Sequence, residues 1–585
     1  MERNNLPWIP LGSKFLRAWL LVVIVCGLLV PAAFCRGADA TSVKPVVFVT
    51  NYLERGSHLT KPQQTQVTDT VRLLASPGEY EPVTFSIRSD VELKGVNVQL
   101  AGDLKSSEGF TIPNTAVEIR LVDPFEQWTK NNLECFLLKK NTADIAPEAT
   151  RRFWVTIHVP DDAKPGIYRS KILIGRPITA LGPDLGRLKT LAALTYEVEV
   201  LPIRLLSAQE TGMAFFMYNS TACYADRPDG VQKFVTEAYQ KRVFEDMREH
   251  GMTTATVYLY PVVNDKFTLT GSDMNHLGFI PTMETMKETK LVTPGLPVIW
   301  LGAEAYDTDV WKGVLEEGRK RTWPETVFYA VDEPGEEKRN EQVRQFMKRL
   351  NAFRSEYPQY GVRVTTALGS SAGIHEVGHF YDPWIGHVLL AMGNVEGQWP
   401  QEMGWETDMM SEVERLGKEL WVYDCSLSPV DAETNRYYFG VWAWVSGVKG
   451  CSHWAYFDNK PRLSYVYPSD DELIPTIGWE SVREGIDDYR YLSTLKRLAD
   501  KARASDKNPL AKRADEILDQ VKNMVTLSNY SKAYYEAEKK SKVRDDRWYN
   551  RRRVEPDLTI EAYDQMRAKV ARAIVDIDKN LTSSQ

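Results

Sequence analysis

Two adjacent carboxylates, Asp332 and Glu333, stand at the end of a short apolar segment, TVFYAV, and are followed by Pro334. An apolar β-strand does not hold charges in its interior, so the pair is expected where the strand opens into solvent or a pocket. Acids in such a place suit acid catalysis. Pro334 and the helical spacing of apolar residues after Glu336 predict a following helix, and the alternative is that the two acids only cap its N-terminus.

A second group of residues that could carry out chemistry is a formal HExxH sequence, formed by His375, Glu376 and His379. On one face of a helix, two imidazoles at this spacing bind zinc while the glutamate activates water, as in metalloproteases. The surroundings argue against a sustained helix, because glycines crowd the segment and Asp382-Pro383 ends it. The alternative is a short structural helix between the fifth and sixth strands.

The elements that must position the acid pair alternate between strand and helix from residue 207 to 498. Eight apolar segments carry strand signals, at residues 212–218, 254–260, 297–302, 326–331, 362–369, 386–393, 420–425 and 450–457. Eight such units in this length predict a (β/α)8 TIM barrel rather than an open doubly wound sheet. A barrel gathers its active site at the carboxyl ends of its strands, where Asp332 and Glu333 follow the fourth strand.

Residues at the other strand ends are expected to line the same site and bind substrate. Aromatic rings stack on sugar faces and carry polar atoms that donate hydrogen bonds. A single ring is more often a core residue, but a shared position at strand ends favours a functional role. The candidates are Tyr218, Tyr260, Trp300, Asp424, Trp454, Tyr456 and Asp458.

Other regions flank the predicted barrel, so the chain is expected to be a multidomain α/β plus β protein. Residues 41–206 alternate apolar and polar positions between turn signals and predict an antiparallel β-sandwich. Its expected role is support, with sugar binding by surface aromatics as the alternative. Residues 499–585 predict a charged helical extension, in which Arg551–Arg553 form a solvated surface or, alternatively, a site for an anionic glycan.

The first forty residues resemble an export signal, with basic residues before the apolar run AWLLVVIVCGLLV and then the small-x-small site Ala38-Asp39-Ala40. We therefore expect a secreted, periplasmic or cell-surface protein without a membrane span in the mature chain. The formal net charge is -7, and the signal carries more basic than acidic residues, which argues against nucleic acid as a partner. Cys135, Cys223, Cys425 and Cys451 leave both buried thiols and disulfides open.

Several longer phrases resemble glycoside hydrolase family 123, the β-N-acetylgalactosaminidases, and their relatives. These are YAVDEP, PGEYEPVTFSIR, FWVTIHVPDDAKPGIY and YPSDDELIPTIGWESVREGIDDYRYLSTL, and the similarity extends from about residue 45 to 500. The resemblance implies release of a terminal β-linked N-acetylgalactosamine, or a related 2-acetamido sugar, with retention of configuration. It also implies that Asp332 and Glu333 are the catalytic pair.

Adjacent carboxylates are compatible with this chemistry. An ordinary retaining glycosidase places its acid and nucleophile about 5 to 5.5 Å apart on opposite sides of the sugar, which neighbouring side chains do not do. In the implied mechanism the 2-acetamido oxygen attacks the anomeric carbon. Asp332 orients the amide, and Glu333 protonates the leaving oxygen and then activates water. The chemistry needs no metal and no cofactor.

One position departs from the family. Relatives commonly carry an arginine before the late Trp-Glu, whereas here Gly478 precedes Trp479. Arg483 is expected to line the substrate site or, alternatively, to form a salt bridge within the last helix of the barrel. The departure leaves open another amino sugar, and a glycan-binding protein without turnover is the alternative function.

Overall fold

The computed structural model describes residues 44–124, 133–178, 187–219, 236–258, 278–369, 371–387, 409–424, 429–458, 463–469, 472–525 and 558–582. The predicted export signal lies outside the described residues. So do Tyr260, Cys223, Cys425 and the basic run Arg551–Arg553.

Residues 44–200 form two β-sheets. Their strands are β1 (Val46–Thr50), β2 (Thr70–Ala75), β3 (Tyr80–Ser89), β4 (Leu93–Leu100), β5 (Leu104–Ser106), β6 (Thr111–Ile112), β7 (Val117–Pro124), β8 (Glu134–Leu138), β9 (Thr142–Ile145), β10 (Ala149–His158), β11 (Gly166–Pro177) and β12 (Leu188–Val200). One sheet has the order β1-β3-β10-β7-β8. The other has the order β2-β12-β11-β4-β9, with β5 beside β11 and β6 beside β5.

The two sheets share one apolar core, because alternate residues of each strand point to the same face. Phe85 and Phe153 come from the first sheet, and Val98 and Ile172 from the second. Strand β10 pairs with β3 over its whole length, antiparallel. The prediction of a purely antiparallel sandwich is wrong at one edge, where β2 runs parallel to β12. Alternation determines which face a strand buries but not the direction of its neighbour.

Each of the eight predicted strand segments between 207 and 498 overlaps a strand, although segment 386–393 is described only at its first two residues. The strands are β13 (Ala214–Asn219), β14 (Thr256–Tyr258), β15 (Val298–Leu301), β16 (Thr326–Tyr329), β17 (Val364–Thr365), β18 (Ala367–Leu368), β19 (Trp384–His387), β20 (Leu420–Asp424) and β21 (Gly450–Phe457). They pair in parallel in two sheets, ordered β13-β21-β20-β19-β18 and β14-β15-β16-β17. A hairpin of β22 (Val466–Pro468) and β23 (Leu473–Pro475) follows.

The two parallel sheets meet at both ends of this order. Strands β17 and β18 are separated only by Thr366, and at the other end the amides of Thr253 and Thr254 donate to the Phe215 carbonyl at 2.9 and 3.3 Å. One apolar cluster, here called the inter-sheet cluster, joins their facing side chains. Its buried members are Ala214, Phe216, Tyr218, Ile299, Leu301, Tyr329, Ala367, Ile385, Trp421, Tyr423 and Ala455. Closure into a barrel stays a prediction.

Helices cover the other face of the parallel strands and continue past them. They are α1 (Glu237–Glu249), α2 (Phe279–Glu288), α3 (Thr308–Arg321), α4 (Glu337–Glu356), α5 (Ser371–Val377), α6 (Met409–Arg415), α7 (Ala432–Tyr437), α8 (Ala443–Ser446), α9 (Ile477–Ala504), α10 (Asn508–Asn523) and α11 (Ile560–Thr582). A π-helical turn, Tyr438–Trp442, joins α7 to α8. Threonines cap α1 and α9: Thr236 and Thr476 accept hydrogen bonds from backbone amides of the first turn.

The late family motif lies on α9, where it forms part of a buried ion network. Arg436 on α7 donates to both carboxylate oxygens of Asp488, at 2.7 and 3.0 Å. Arg567 on α11 donates to Asp488 at 2.7 Å and to Glu484 at 2.8 Å, and it also contacts Glu81 of β3. Buried charges are costly unless they are paired, so this network ties the β-sheets to α7, α9 and α11.

The predicted domain boundary, the state of the cysteines and the predicted absence of a membrane span can be compared with the structure. Residues from Lys44 onward form one compact unit, and α9 runs through the predicted boundary at 498/499, so the helical extension continues from the preceding region. Cys135 and Cys451 are buried free thiols. Within the described part of the chain, no helix has the length and apolar character that a membrane crossing requires.

Glu79 shows how strongly burial acts in this network. Its carboxylate accepts hydrogen bonds from the Ser76 amide at 2.7 Å and from the Tyr491 hydroxyl at 2.9 Å. Burial, reinforced by the negative charge of Asp487, raises the pKa of Glu79 from 4.5 to about 7. The folded state therefore holds this proton more tightly than the unfolded chain. The resulting stabilisation is complete below pH 4.5 and is lost as the pH rises through about 7.

We expect Glu79→Gln to reduce the pH dependence of stability. The amide cannot ionise, so the variant should lose less stability than the unsubstituted protein between pH 5 and pH 8, as measured by urea unfolding at both values. Glu108→Gln, at an exposed turn, is the control. An equal loss of stability in the Glu79 variant and the unsubstituted protein would show that this carboxyl does not titrate as described.

Candidate active site

An unusual backbone turn follows β16 and presents the acid pair. Val331 and Glu333 have φ angles of 58° and 45°, in the left-handed region that a β-branched residue rarely enters. The Thr366 hydroxyl donates to the Val331 carbonyl at 2.7 Å. Arg339 donates to the carbonyls of Asp332 and Glu333, at 2.9 and 3.0 Å. These contacts hold a conformation that would otherwise cost about 1–3 kcal/mol at each residue.

Two tyrosines of the inter-sheet cluster bind the two carboxylates. Tyr329 donates its hydroxyl hydrogen to Asp332 Oδ1 and accepts a hydrogen bond from the Ala367 amide at 3.1 Å. Tyr423 donates to Glu333 Oε1 at 2.7 Å. Helix α4 begins after Glu336 and has no side-chain cap at its N-terminus. The acid pair therefore makes no side-chain capping hydrogen bond to this helix.

The acid pair is open to solvent on one side and surrounded by protein on the other. Both residues are exposed. Desolvation by the surrounding protein nevertheless raises the pKa of Asp332, and the charge of Glu333 acts in the same direction. The hydrogen bond from Tyr329 opposes this rise because it stabilises the ionised carboxylate.

Two of the predicted aromatic residues lie beside these tyrosines. The Tyr218 ring centroid is 6.5 Å from that of Tyr329 and 6.2 Å from that of Tyr423. The Trp454 ring centroid lies 5.2 Å from that of Tyr218, and its indole N–H donates to Asp458. The structure thus brings Tyr218, Trp454 and, through Trp454, Asp458 into the region of the acid pair.

Four predicted site residues lie elsewhere, and for two of them, Trp300 and Asp424, strand alternation gives the reason. Ile299 and Leu301 belong to the inter-sheet cluster, so Trp300 points to the opposite face, where it packs on Phe279, Tyr306 and Phe328. Tyr456 also faces the helices and donates to Asp246 at 2.6 Å. Asp424 is buried on the side opposite Tyr423, near Tyr438, Cys451 and Tyr465. Burial raises the pKa of each of these three groups, and the charge of Asp424 adds to the rise.

Arg483 is the fourth residue that the structure places away from the acid pair. It is buried on α9, forms an ion pair with Glu480, and its guanidinium lies 4.8 Å from the Tyr80 ring centroid. Arg483 lines a cavity of about 740 Å3 between the β-sheets and α1, which also includes His158 and His250. Of the two roles considered for Arg483, the structure shows the salt bridge.

The HExxH segment is divided between two helical elements, and its glutamate contacts a neighbouring helix. Helix α5 ends at Val377, so His379 lies in a separate 3-10 turn and does not follow His375 along one helix. Glu376 accepts hydrogen bonds from Asn340 at 2.6 Å and from Arg344 at 3.2 Å, which links α5 to α4. Across the described ranges, no group of three or more histidine, cysteine, aspartate or glutamate side chains is placed to hold a metal ion. The zinc hypothesis therefore has no support in this geometry.

Sequence reasoning missed three residues near the acid pair. Tyr329 and Tyr423 carry the hydrogen bonds, and alternation along β20 from Trp421 would have placed Tyr423 on the inter-sheet face. Glu304 lines a cavity of about 500 Å3 together with Asp332. It comes from a 3-10 turn, Ala303–Ala305, after β15, and no sequence signal distinguished it from other loop acids.

Comparison with known proteins supports the resemblance noted from the sequence. Residues 57–176 match the family described as "Glycoside hydrolase 123 N-terminal domain", which confirms the resemblance to that family. A family 123 glycoside hydrolase from Clostridium perfringens, studied for glycolipid glycan hydrolysis, aligns with a TM-score of 0.58. The alignment covers 92% of this chain and 100% of that chain at 13% identity, which shows a shared fold.

Other solved structures align less closely. Saccharomyces cerevisiae Gas2p in complex with laminaripentaose has a TM-score of 0.34 at 12% identity, over 48% of this chain and 66% of that chain. A Bacteroides ovatus GH5 xyloglucanase has a TM-score of 0.29 at 9% identity, over 71% of this chain and 98% of that chain. No curated protein matches the sequence.

We expect Tyr329→Phe to raise the pKa of Asp332, because it removes a hydrogen bond that stabilises the ionised carboxylate. The measurement is a titration of 13C-labelled aspartate carboxyls by NMR, with the Asp332 signal assigned from its loss in Asp332→Asn. Tyr360→Phe removes a hydroxyl bonded to the exposed Glu316 and is the matched control. An unchanged or lowered Asp332 pKa in Tyr329→Phe would contradict the described contact.

Proposed function

We propose that this protein is a family 123 glycoside hydrolase that releases terminal β-linked N-acetylgalactosamine, or a related 2-acetamido sugar, with retention of configuration. One observation carries the proposal: two adjacent, solvent-open carboxylates follow a parallel strand, and each accepts a hydrogen bond from a different tyrosine. The N-terminal family match and the shared fold support the same assignment.

The proposed reaction uses the acetamido group of the substrate as the nucleophile. Asp332 and Glu333 are neighbours on the chain and bond to tyrosines of the same cluster, so they approach the sugar from one side. An acid and a separate nucleophile on opposite faces of the sugar are therefore not available from this pair. Attack by the 2-acetamido oxygen on the anomeric carbon removes the need for a protein nucleophile.

Each carboxylate has a distinct role in this proposal. Asp332 accepts a hydrogen bond from the acetamido N–H and stabilises the positive charge that develops on the oxazolinium ring. Desolvation disfavours an isolated negative charge on Asp332, so the carboxylate gains most when that positive charge appears beside it. Glu333 protonates the leaving oxygen and then removes a proton from the attacking water.

Aromatic side chains are well placed to bind the sugar in this proposal. Trp454 is partly buried beside Tyr218, and its indole N–H is oriented by Asp458. A ring in this position offers an apolar face to the sugar. Tyr329 and Tyr423 hold the two carboxylates in place, so we assign them positioning roles.

Two broader features belong to the same proposal. We infer that the eight parallel strand segments close into a (β/α)8 barrel, because one apolar cluster joins both sheets and hydrogen bonds link β13 to the segment before β14. We also infer export, on the basis of the basic and apolar pattern of the first forty residues. A secreted hydrolase would meet glycans outside the cell.

The purified protein is expected to hydrolyse a 4-nitrophenyl 2-acetamido-β-glycoside, with the galacto-configured substrate preferred. Glu333→Gln should lower kcat by about 10²- to 10⁴-fold, the usual contribution of general acid–base catalysis. Release of nitrophenolate gives the rate, and Glu337→Gln, at the exposed start of α4, is the matched control. Sugar binding without hydrolysis by the unsubstituted protein would instead identify a glycan-binding protein.

A further inference from the structure

A third carboxylate shares a cavity with the acid pair. Glu304 and Asp332 both line a space of about 500 Å3, which is bordered on the α4 side by Arg339, Gln342, Gln345 and Arg349. Glu333 is not among the residues that line it. The cavity therefore extends from the Asp332 side of the acid pair.

The local structure places Glu304 at the edge of this space. Gly302, with φ of 77°, turns the chain after β15 into the 3-10 turn that carries Glu304. Arg349 Nη2 donates to the Glu304 carbonyl at 2.6 Å, while its guanidinium stacks 4.7 Å from the Trp311 ring centroid. Burial raises the pKa of Glu304, and interaction with the backbone amide of Val331, next to Asp332, opposes that rise. Glu304 is thus fixed relative to the acid pair.

Two polar atoms beside the cavity lack partners. Glu304 Oε2 and Arg349 Nε are each buried and make no hydrogen bond to any residue in the described ranges. A buried acceptor and a buried donor without partners are costly, unless a ligand supplies the missing hydrogen bonds. A sugar hydroxyl both donates and accepts, so it can pair with a carboxylate or with a guanidinium.

The charges of the cavity favour a neutral ligand. Asp332 and Glu304 oppose an anion, while Arg339 and Arg349 oppose a cation, and the two signs balance. Exposed amides of Gln342 and Gln345 add further donors and acceptors. A polyhydroxyl sugar surface fits this lining better than a sulfated or carboxylated group.

We propose that Glu304 is a specificity-determining residue that accepts a hydrogen bond from the 3-hydroxyl of the reacting amino sugar. The position of that hydroxyl rests on the function proposed above: Asp332 binds the acetamido group on carbon 2, and the cavity opens on the Asp332 side of the pair. Carbon 3 is the neighbouring carbon on which a hydroxyl is free. Glu304 therefore binds the sugar on the side of carbons 2 and 3, as Asp332 does. Glu333 acts on the leaving group.

Binding of N-acetylgalactosamine and its 3-deoxy analogue, measured by calorimetry, tests this assignment without requiring turnover. For the unsubstituted protein we expect the 3-deoxy sugar to bind about 10- to 100-fold more weakly, the usual effect of one hydrogen bond to a charged group. Glu304→Ala should remove most of that difference. Glu304→Gln, which retains the size of the side chain, should reduce it and covers the case in which the alanine variant does not fold.

The control is Glu316→Gln on α3, whose carboxylate bonds to Tyr360 outside the cavity, and it should keep the full difference between the two sugars. The assignment would be overturned if removal of the 3-hydroxyl weakened binding by the same factor in the unsubstituted protein and in both Glu304 variants. Glu304 would then act only through the Val331 backbone. Hydrolysis without 3-hydroxyl discrimination would overturn this inference alone. Discrimination without hydrolysis would overturn the proposed function alone.

Discussion

The hydrogen bonds from two tyrosines determine where the acid pair points. Successive side chains of an extended strand point to opposite faces, so Asp332 and Glu333 would normally diverge. Here both carboxylates bond to residues of the inter-sheet cluster, Tyr329 and Tyr423. Left-handed backbone angles at Val331 and Glu333 allow this convergence. The proposed chemistry depends on that constraint, because it needs both groups on one side of the sugar.

The strands and the acid pair could be predicted from the sequence because both produce local signals. Apolar runs bounded by turn residues overlapped each described strand of the two parallel sheets, and two charges at a strand end indicated an open site. The choice of companions was less successful. Trp300, Asp424 and Tyr456 were selected as strand-end residues, but each faces the helices. A position at a strand end gives only the distance of a residue along the strand. The face to which its side chain points depends on the register of that strand in the sheet. Ile299 and Tyr423 lie in the inter-sheet cluster, so the residues that follow them point to the opposite face.

The surroundings of Glu304 and Arg483 depend on contacts between residues that are far apart in the sequence, so no local sequence pattern predicts them. Glu304 becomes part of the site only because the turn after β15 lies beside the turn after β16. Arg483 belongs to the last of the four family phrases, yet it is buried against Tyr80 and paired with Glu480. Its neighbours Glu484 and Asp488 pair with arginines of α7 and α11. The ion pairs of this phrase and of Arg567 connect β3, α7, α9 and α11.

The most direct measurement of the central claim is the rate of hydrolysis of 4-nitrophenyl glycosides whose 2-acetamido group carries zero to three fluorines. Fluorine withdraws electrons from the carbonyl oxygen and weakens it as a nucleophile, while the leaving group stays the same. If the substrate supplies the nucleophile and Asp332 and Glu333 only assist it, kcat/KM should fall steeply with each added fluorine. A value of kcat/KM that is independent of fluorination would contradict this account and require a nucleophile from the protein.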